Sequence, residues 1–534
     1  MINKIKNAII KAFENQNFAF DPTKIIVSKS KHLGDFSTNA AFLFAKNNNM
    51  PAMEFAQKIV DFIDKNEIFA TKIEVATPGF INFYISNQGL AEIVKKIIDQ
   101  DLNYGSQNQN QKINVEFVSA NPTGFLHLGH LRSAVIGDVL SNILKFSGNQ
   151  VLKEYYINDF GVQIDRLANS TIARYQQLFN PNFSMPEDAY NGEDIIWAAK
   201  QIKAQIGDKF ANKPIDDKQY HFFRQESLSI FLKEIKKDLA NLGIYFDKYS
   251  SEADLHKNAL FLKTITNLPG TYTKENALWL KTSEFGDDKD RVLIKSDNKL
   301  TYFGADIFYH LEKINSNFKP DILINVWGAD HIGYLGRMQS ALKILGYPEK
   351  LKVLLYQIVS LLKNGSEFKM SKRKGSTFTI KELANLVDVD SLRFFMVERS
   401  ENSLIEFDID KAANVGEQNP LFLIQYAHAR SAQLLSKAKL NIDKIANFES
   451  NYEIKLINDL KEFEEIIAKI SKNYKINLLN KYLLTLANSF NAFYSNCKIL
   501  ESPNQDSLLS LVKATNIVIK IGLGLLGIQA KERI

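Results

Sequence analysis

The chain has 534 residues, too many for one ordinary core, so about three domains are expected. Apolar residues make up 45% and charged residues 24%, the balance of a folded globular protein and not of a disordered or fibrous one. A single cysteine, Cys497, excludes a disulfide within the chain and fits a reducing compartment, while a net charge of +6 is only modestly basic.

The opening stretch MINKIKNAIIKAFENQ places Ile2, Ile5, Ile9 and Phe13 at helical spacing with lysines between them. It lacks the uninterrupted apolar core of a secretory signal. No run approaches the ~20 apolar residues that span a bilayer; Ile521 to Ile528 comes nearest. A cytoplasmic location with no membrane partner is expected. In His32 to Lys46, Gly34-Asp35-Phe36-Ser37 reads as a turn. Asp or Ser caps a helix there whose apolar face is Ala41, Phe42 and Ala45. Pro78-Gly79 then feeds an alternating strand to Ile85. Residues 1–102 therefore read as a small α+β domain. Asn103 to Lys112 is polar and aperiodic, a linker.

Ile113 to Asp138, INVEFVSANPTGFLHLGHLRSAVIGD, is the stretch around which the rest of the chain is organised. Ile113, Val115 and Phe117 alternate with Asn114 and Glu116, a strand signal. Asn121-Pro122-Thr123-Gly124 breaks it, and Leu126 opens a helical run. Strand, tight loop and helix start is the setting in which free N–H groups and the helix dipole favour a phosphate. His127 and His130 share a helical face, and each can donate to a phosphate oxygen. Gly129 between them leaves room for a flat adenine to approach the backbone. A His-x-x-His pair can also be part of a metal site, but no further His/Cys cluster completes a tetrahedral set.

Val151 to Ile157 supplies a second strand, ended by Asn158-Asp159-Phe160-Gly161. Residues 165–257 are mostly helical and polar. They read as an insertion between two halves of a parallel sheet, or as a separate helical domain. The second half resumes with strands at Ala277–Leu280 and Arg291–Ile294 and a strand running into a helix across Leu300–Asp306. Buried strands come next at Ile322–Trp327 and Val353–Val359. Polar residues at strand ends are where open α/β sheets bind ligands. Phe368 to Gly375, FKMSKRKG, is a lysine-rich loop. From Ile380 onwards no strand is expected. Leu421–Leu435, Leu478–Tyr494 and Leu508–Leu526 are amphipathic and fit a bundle of four or five helices. From Lys411 to the end, 16 Lys/Arg stand against 11 Asp/Glu, which favours a polyanionic partner there.

HLGH and KMSKR, in that order, resemble the two signatures of class I aminoacyl-tRNA synthetases, with Arg373 where the usual pattern has Ser. The resemblance narrows at GDFSTNAAF, PGFINFYI and the Tyr156-Ile157-Asn158-Asp159-Phe160-Gly161-x-Gln163 block. It extends to Asp390-Ser391-Leu392-Arg393 (Ser where the family has Ala), Gln425-Tyr426-Ala427-His428-Ala429-Arg430 and GLGLLGI. Over nearly its whole length the chain resembles bacterial arginyl-tRNA synthetases. The resemblance implies an α/β, Rossmann-type catalytic domain over 113–379 with the helical insertion at about 165–257. An α+β N-terminal domain over 1–102 would touch the tRNA elbow, and an all-α bundle over 380–534 would bind the anticodon. It implies ATP and Mg2+ as cofactors, L-arginine and tRNA(Arg) as partners, a monomer, and ester formation at the terminal 2′-hydroxyl. Members usually need bound tRNA for the first step.

Carried over residue by residue, His127, His130, Lys369 and Lys372 act on the triphosphate. Gly129, Gly328, Asp330, His331, Met370 and Ser371 bind ATP. Glu116, Asn121, Tyr302, Asp306 and Gln339 bind arginine, and no metal is held by the protein. The chemistry agrees, because a planar guanidinium needs paired carboxylate acceptors. A zinc-dependent class I relative would need more than one cysteine, and a glutamate pocket would need cations in place of Glu116 and Asp306. A non-catalytic tRNA-binding relative commonly loses one signature; this chain keeps both.

Overall fold

The computed structural model describes residues 1–30, 33–368, 378–438, 441, 445 and 447–534. Five parallel strands carry the centre: β1 (Lys112–Glu116), β2 (Gln150–Ile157), β3 (Lys248–Ser251), β4 (Ile322–Gly328) and β5 (Leu351–Tyr356). Their order is β5-β4-β1-β2-β3, with every neighbouring pair parallel. The chain thus runs outward from β1 to β3, then returns to β1's other side. The reversal falls between β1 and β4, and a crevice opens at such a switch point.

Helix α1 (Leu128–Phe146) crosses from β1 to β2 and is buried on nearly every side. A Cβ at Gly137 would lie 2.1 Å from the Phe117 ring, so only glycine lets the helix approach the end of β1 this closely. Three helices of the insertion, Val162–Gln177, Glu193–Ile206 and Asp217–Asn241, share a core of their own around Tyr175, Phe223 and Phe231. The insertion returns through β3, which joins the main sheet.

Several expectations are corrected. Phe36–Thr38 is not a helix cap but a strand in a four-stranded antiparallel sheet with Val27–Lys29, Phe80–Ile85 and Ala70–Ala76. The helix after it, Ala40–Phe44, buries Ala40, Ala41 and Phe44 and exposes Phe42. Of the residues expected in that turn and helix, His32 lies outside the described ones. Ala277–Leu280 and Arg291–Ile294 do not join the parallel sheet. They pair antiparallel, with Thr271–Lys274 as the third strand. Leu300–Asp306 contains no strand: Leu300 makes one isolated bridge and helix α2 runs over Tyr302–Asn315. Beyond Ile380 there is a strand after all. β6 (Val359–Lys363) pairs antiparallel with β7 (Ser366–Glu367) and parallel with β8 (Ile405–Asp408). Ile-Glu-Phe-Asp alternates buried and exposed, but over four residues the pattern is too short to stand out.

The carboxyl-terminal part holds helices Pro420–Lys437, Asn451–Lys461, Phe463–Asn473, Asn477–Asn496 and α4 (Gln505–Leu525), preceded by α3 (Val389–Met396); α3, Phe463–Asn473 and α4 all pack against α1. By length and composition α4 could cross a bilayer, but 78% of its most apolar window is buried inside the protein.

The bundle is fastened to α1 by buried charge. The Arg393 guanidinium on α3 pairs with Asp138 on α1. It also donates to the carbonyls of Leu526 (2.8 Å) and Leu242 (2.9 Å). Lys153 on β2 holds the other Asp138 oxygen at 2.6 Å. Burial opposes the charge on Asp138, but Arg393 and Lys153 outweigh it and keep the carboxyl below its usual range. Breaking a buried pair strands the remaining charge. Arg393→Met should therefore destabilise the chain by about 3–5 kcal/mol, seen as a lower urea midpoint. A midpoint within error of the parent would show that the junction does not depend on this pair.

Candidate active site at the switch point

A cleft of about 1270 Å³ lies over the carboxyl ends of β1, β2 and β4. Glu116, Asn121, His127, Gly129, His130, Asp306, Gly328, Asp330 and His331 all line it. Residues from three separated stretches of sequence thus meet at the sheet's reversal.

One end is built by the turn after β1. Val118 and Ser119 both have positive φ, 66° and 41°, which a β-branched residue rarely adopts. Hydrogen bonds hold the turn: Val118 N–H donates to Ser133 Oγ at 3.0 Å, and Ser119 Oγ donates to Glu116 Oε1 at 3.1 Å. The turn delivers the chain to His127, the N-cap of α1. Gly129 N–H donates to His127 Nδ1 at 3.2 Å, and His127 N–H donates to His130 Nδ1 at 3.2 Å. This is a reciprocal capping box made of two imidazoles. The rings stack with centroids 3.7 Å apart, and the His127 ring comes within 3.1 Å of where a Cβ at Gly129 would stand.

Burial lowers the pKa of His127, and burial with the neighbouring His127 brings His130 down to about 3. Both rings are therefore neutral at pH 7. Because each Nδ1 accepts a hydrogen bond, each proton sits on Nε2. The pair offers two N–H donors without a fixed charge.

The other end is acidic. Asp306, on the second turn of α2, accepts a hydrogen bond from the Tyr334 hydroxyl. Burial pushes its carboxyl up to about 7; the Tyr334 bond pulls it down and the Glu116 charge pushes it up. Glu116 accepts from Lys313 Nζ, which also reaches Asn325 Oδ1 at 3.4 Å. His310 donates through Nδ1 to the Asp306 carbonyl (2.7 Å) and accepts at Nε2 from Asn325 (3.1 Å). Burial brings it down to about 4, so it is a neutral strut.

Comparison with known proteins gives the site its context. The family "tRNA synthetases class I (R), catalytic domain" matches residues 92–448. "Arginyl tRNA synthetase N terminal domain" matches 1–85, and "DALR anticodon binding domain" matches 424–534. The arginine–tRNA ligase of Mesomycoplasma hyopneumoniae (strain 7448) is 59% identical over 535 residues, covering 100% of both chains. The chain belongs to the arginyl-tRNA synthetases. Arginine–tRNA ligase 1 of Halalkalibacterium halodurans is 39% identical over 552 residues, covering 100% of this chain and 99% of the other. The Thermus thermophilus arginyl-tRNA synthetase structure shares the fold with TM-score 0.77 at 22% identity, over 100% of both chains.

Not every residue suggested by the resemblance to arginyl-tRNA synthetases reaches the cleft. Tyr302 and Gln339 do not line it. Tyr302 is the first residue of α2 and 69% exposed, a turn short of the cleft wall that Asp306 reaches. Gln339 comes after the fully buried Met338 on its helix and takes the solvent side. Lys369, Met370, Ser371 and Lys372 lie outside the described residues. Their neighbours Phe368 and Phe378 line the cleft, with ring centroids 5.2 Å apart. Among the described residues no group of three or more His, Cys, Asp or Glu could hold a metal ion.

Four further residues complete the acidic end of this arginyl-tRNA synthetase. His310 and Lys313 stand four and seven residues after Asp306, a polar stripe on an apolar helix that was legible in the sequence. Tyr334 has no such local signal. Nor does Glu252, which is buried behind Tyr156. Burial, then the charges of Asp306 and Asp159, push Glu252 up to about 7.

A bound cation would stabilise the charged form of Asp306, so its binding must expel a proton where that carboxyl is otherwise protonated. Raised carboxyls are neutral below their pKa. Arginine affinity should therefore fall as the pH drops below about 7, by up to about tenfold per unit. Calorimetric titration with L-arginine in buffers of different ionisation enthalpy should report proton release near pH 7. No release, with affinity flat from pH 8 to 6, would mean that Asp306 does not meet the ligand's charge.

Proposed function

We propose that the chain activates L-arginine with ATP and transfers it to the terminal adenosine of tRNA(Arg), with the cleft performing both steps. The observation that carries this reading is the meeting of an acidic end and a neutral imidazole pair in one cleft. Asp306 takes the guanidinium, with Glu116 beside it and Glu252 behind Tyr156, and Asn121 faces the α-amino and carboxyl end. The arginine carboxylate attacks the α-phosphorus and pyrophosphate leaves. The Nε2–H groups of His127 and His130 donate to the phosphate oxygens, and the resemblance gives Lys369 and Lys372 of the second signature the same task. Fixed donors aimed at developing charge need no proton transfer. Gly328, Asp330 and His331, at the end of β4, take the adenosine. Magnesium would neutralise charge on the triphosphate; among the described residues no carboxylate or imidazole cluster would hold it. The 2′-hydroxyl of the terminal adenosine then attacks the arginyl carbonyl and AMP leaves.

The bundle supports the tRNA assignment. Arg430 lies between two rings, 4.3 Å from the Tyr426 centroid and 4.4 Å from that of Tyr494. Tyr426 in turn stacks on Phe422. Such a ladder of partly exposed planar groups suits unpaired bases. Residues 1–102 take the tRNA elbow in the same proposal, and the enzyme works as a cytoplasmic monomer.

Pyrophosphate exchange with tRNA present tests the reading. Arginine should support it and lysine should not, since a point charge cannot use a carboxylate fork. Removing one transition-state donor, in His127→Ala or His130→Ala, should slow exchange by about 10²–10³. Asp306→Asn should weaken arginine far more than citrulline and leave ATP binding nearly unchanged. Equal losses for the two ligands would make Asp306 structural. Lys369→Ala or Lys372→Ala should lower activity with little change in melting temperature.

A further inference from the structure

Arg132 has no part in the chemistry proposed for the cleft. It lies on α1 two residues after His130 and is fully buried. Its hydrogen bonds go to main-chain carbonyls. Nη1 donates to Gln357 O (2.6 Å) and Ser403 O (2.8 Å), and Nη2 donates to Ser400 O (2.9 Å). A buried cation carries a large desolvation cost. An apolar side chain would fill the volume at lower cost, so what the guanidinium holds is informative.

It holds the small sheet. Gln357 lies between β5 and β6, and the Ser400–Ser403 turn leads into β8. β8 pairs with β6, Val359 opposite Ile405. β6 in turn gives Val359, Ser360 and Leu361 to the cleft wall. Phe368, past β7, donates its N–H to Leu361 O at 2.7 Å. On the far side of the second signature, Leu128 N–H donates to Phe378 O (3.1 Å) and Ile380 N–H to Leu126 O (2.9 Å). The chain on both sides of the second signature is thus tied to the start of α1. One side is tied by main-chain bonds and the other through Arg132.

We propose that Arg132 is a positioning residue for adenylate formation: it holds the β6–β8 wall of the cleft in register with His127 and His130. This rests on the reading of the histidines as phosphate donors. A planar fork can serve two carbonyls of one turn and a third from another segment at once. A lysine ammonium in its place is a compact point charge on a flexible stem.

The test uses the full chain with tRNA and the variants Arg132→Lys and Arg132→Met. A misplacement of about 1 Å in such a site costs about 10²-fold. The exchange kcat per folded molecule should fall by about that factor in Arg132→Met and by less in Arg132→Lys. The Kd for arginine, whose acidic ligands sit on β1 and α2, should stay within about twofold. Arg132→Met should add little on top of His130→Ala, because the two act through one donor set. Unchanged kcat per folded molecule, or equal losses in kcat and arginine affinity, would overturn the proposal. If Arg132→Met does not fold, the pair Ser400→Ala and Ser403→Ala decides. It removes the 2.7 Å hydroxyl–hydroxyl bond that shapes the turn and should lower kcat several-fold, whereas an unchanged kcat would overturn the proposal. Should His130→Ala itself leave exchange intact, the reading of the histidines fails on its own, separately from the kcat of the Arg132 variants.

Discussion

The structure depends on one buried helix whose charges can be satisfied in only one arrangement. α1 carries Arg132 and Asp138 into the interior, where an unpaired charge is not tolerated. Asp138 needs Arg393 from the bundle and Lys153 from β2. Arg393 needs the carbonyl of Leu242, which caps the insertion helix Asp217–Asn241, and that of Leu526, which caps α4. Gly527 makes this possible, because a Cβ there would lie 2.1 Å from the Arg393 guanidinium. Four segments far apart in sequence therefore lock to the helix whose first turn holds both histidines. A polar network of this kind contributes specificity of arrangement more than net stability.

The cleft at the end of that helix is divided by electrostatics. At one end, burial, and for His130 also the neighbouring His127, keep two imidazoles neutral, and their caps fix the protons on Nε2. In the proposed reading, polyanionic phosphates would meet donors that are already partly desolvated. At the other end the balance is unequal. Glu116 has Lys313 as a partner within the protein, whereas Asp306 has a tyrosine hydroxyl and Glu252 has Tyr156. Carboxyls without a cation in a buried place hold their charge poorly, which is why both are pushed up to about 7. In the proposed reading, a guanidinium would supply the missing charge to Asp306 in the planar geometry that carboxylates match best.

Much of this was legible in the sequence because it is local. Strand alternation at Ile113–Phe117, the breaker at Asn121–Gly124 and the periodic run after Leu126 define β1, its loop and α1 without tertiary information. What escaped the sequence reading depends on partners far away. Four residues of β8 make a strand only because β6 lies beside them. The 271–294 strands have ordinary strand patterns, and nothing local says which sheet they join. Tyr302 stands four residues before Asp306, a spacing that suggests a shared face, yet it begins the helix and stays in solvent. Glu252 comes to stand behind Tyr156 only because the insertion folds back through β3.

A crystal structure with L-arginine and a non-hydrolysable ATP analogue bound together tests the central claim most directly. The account predicts the guanidinium within hydrogen-bond distance of the Asp306 carboxylate and phosphate oxygens within reach of the Nε2 atoms of His127 and His130. A guanidinium seated away from Asp306, or a triphosphate turned from both imidazoles, would contradict it.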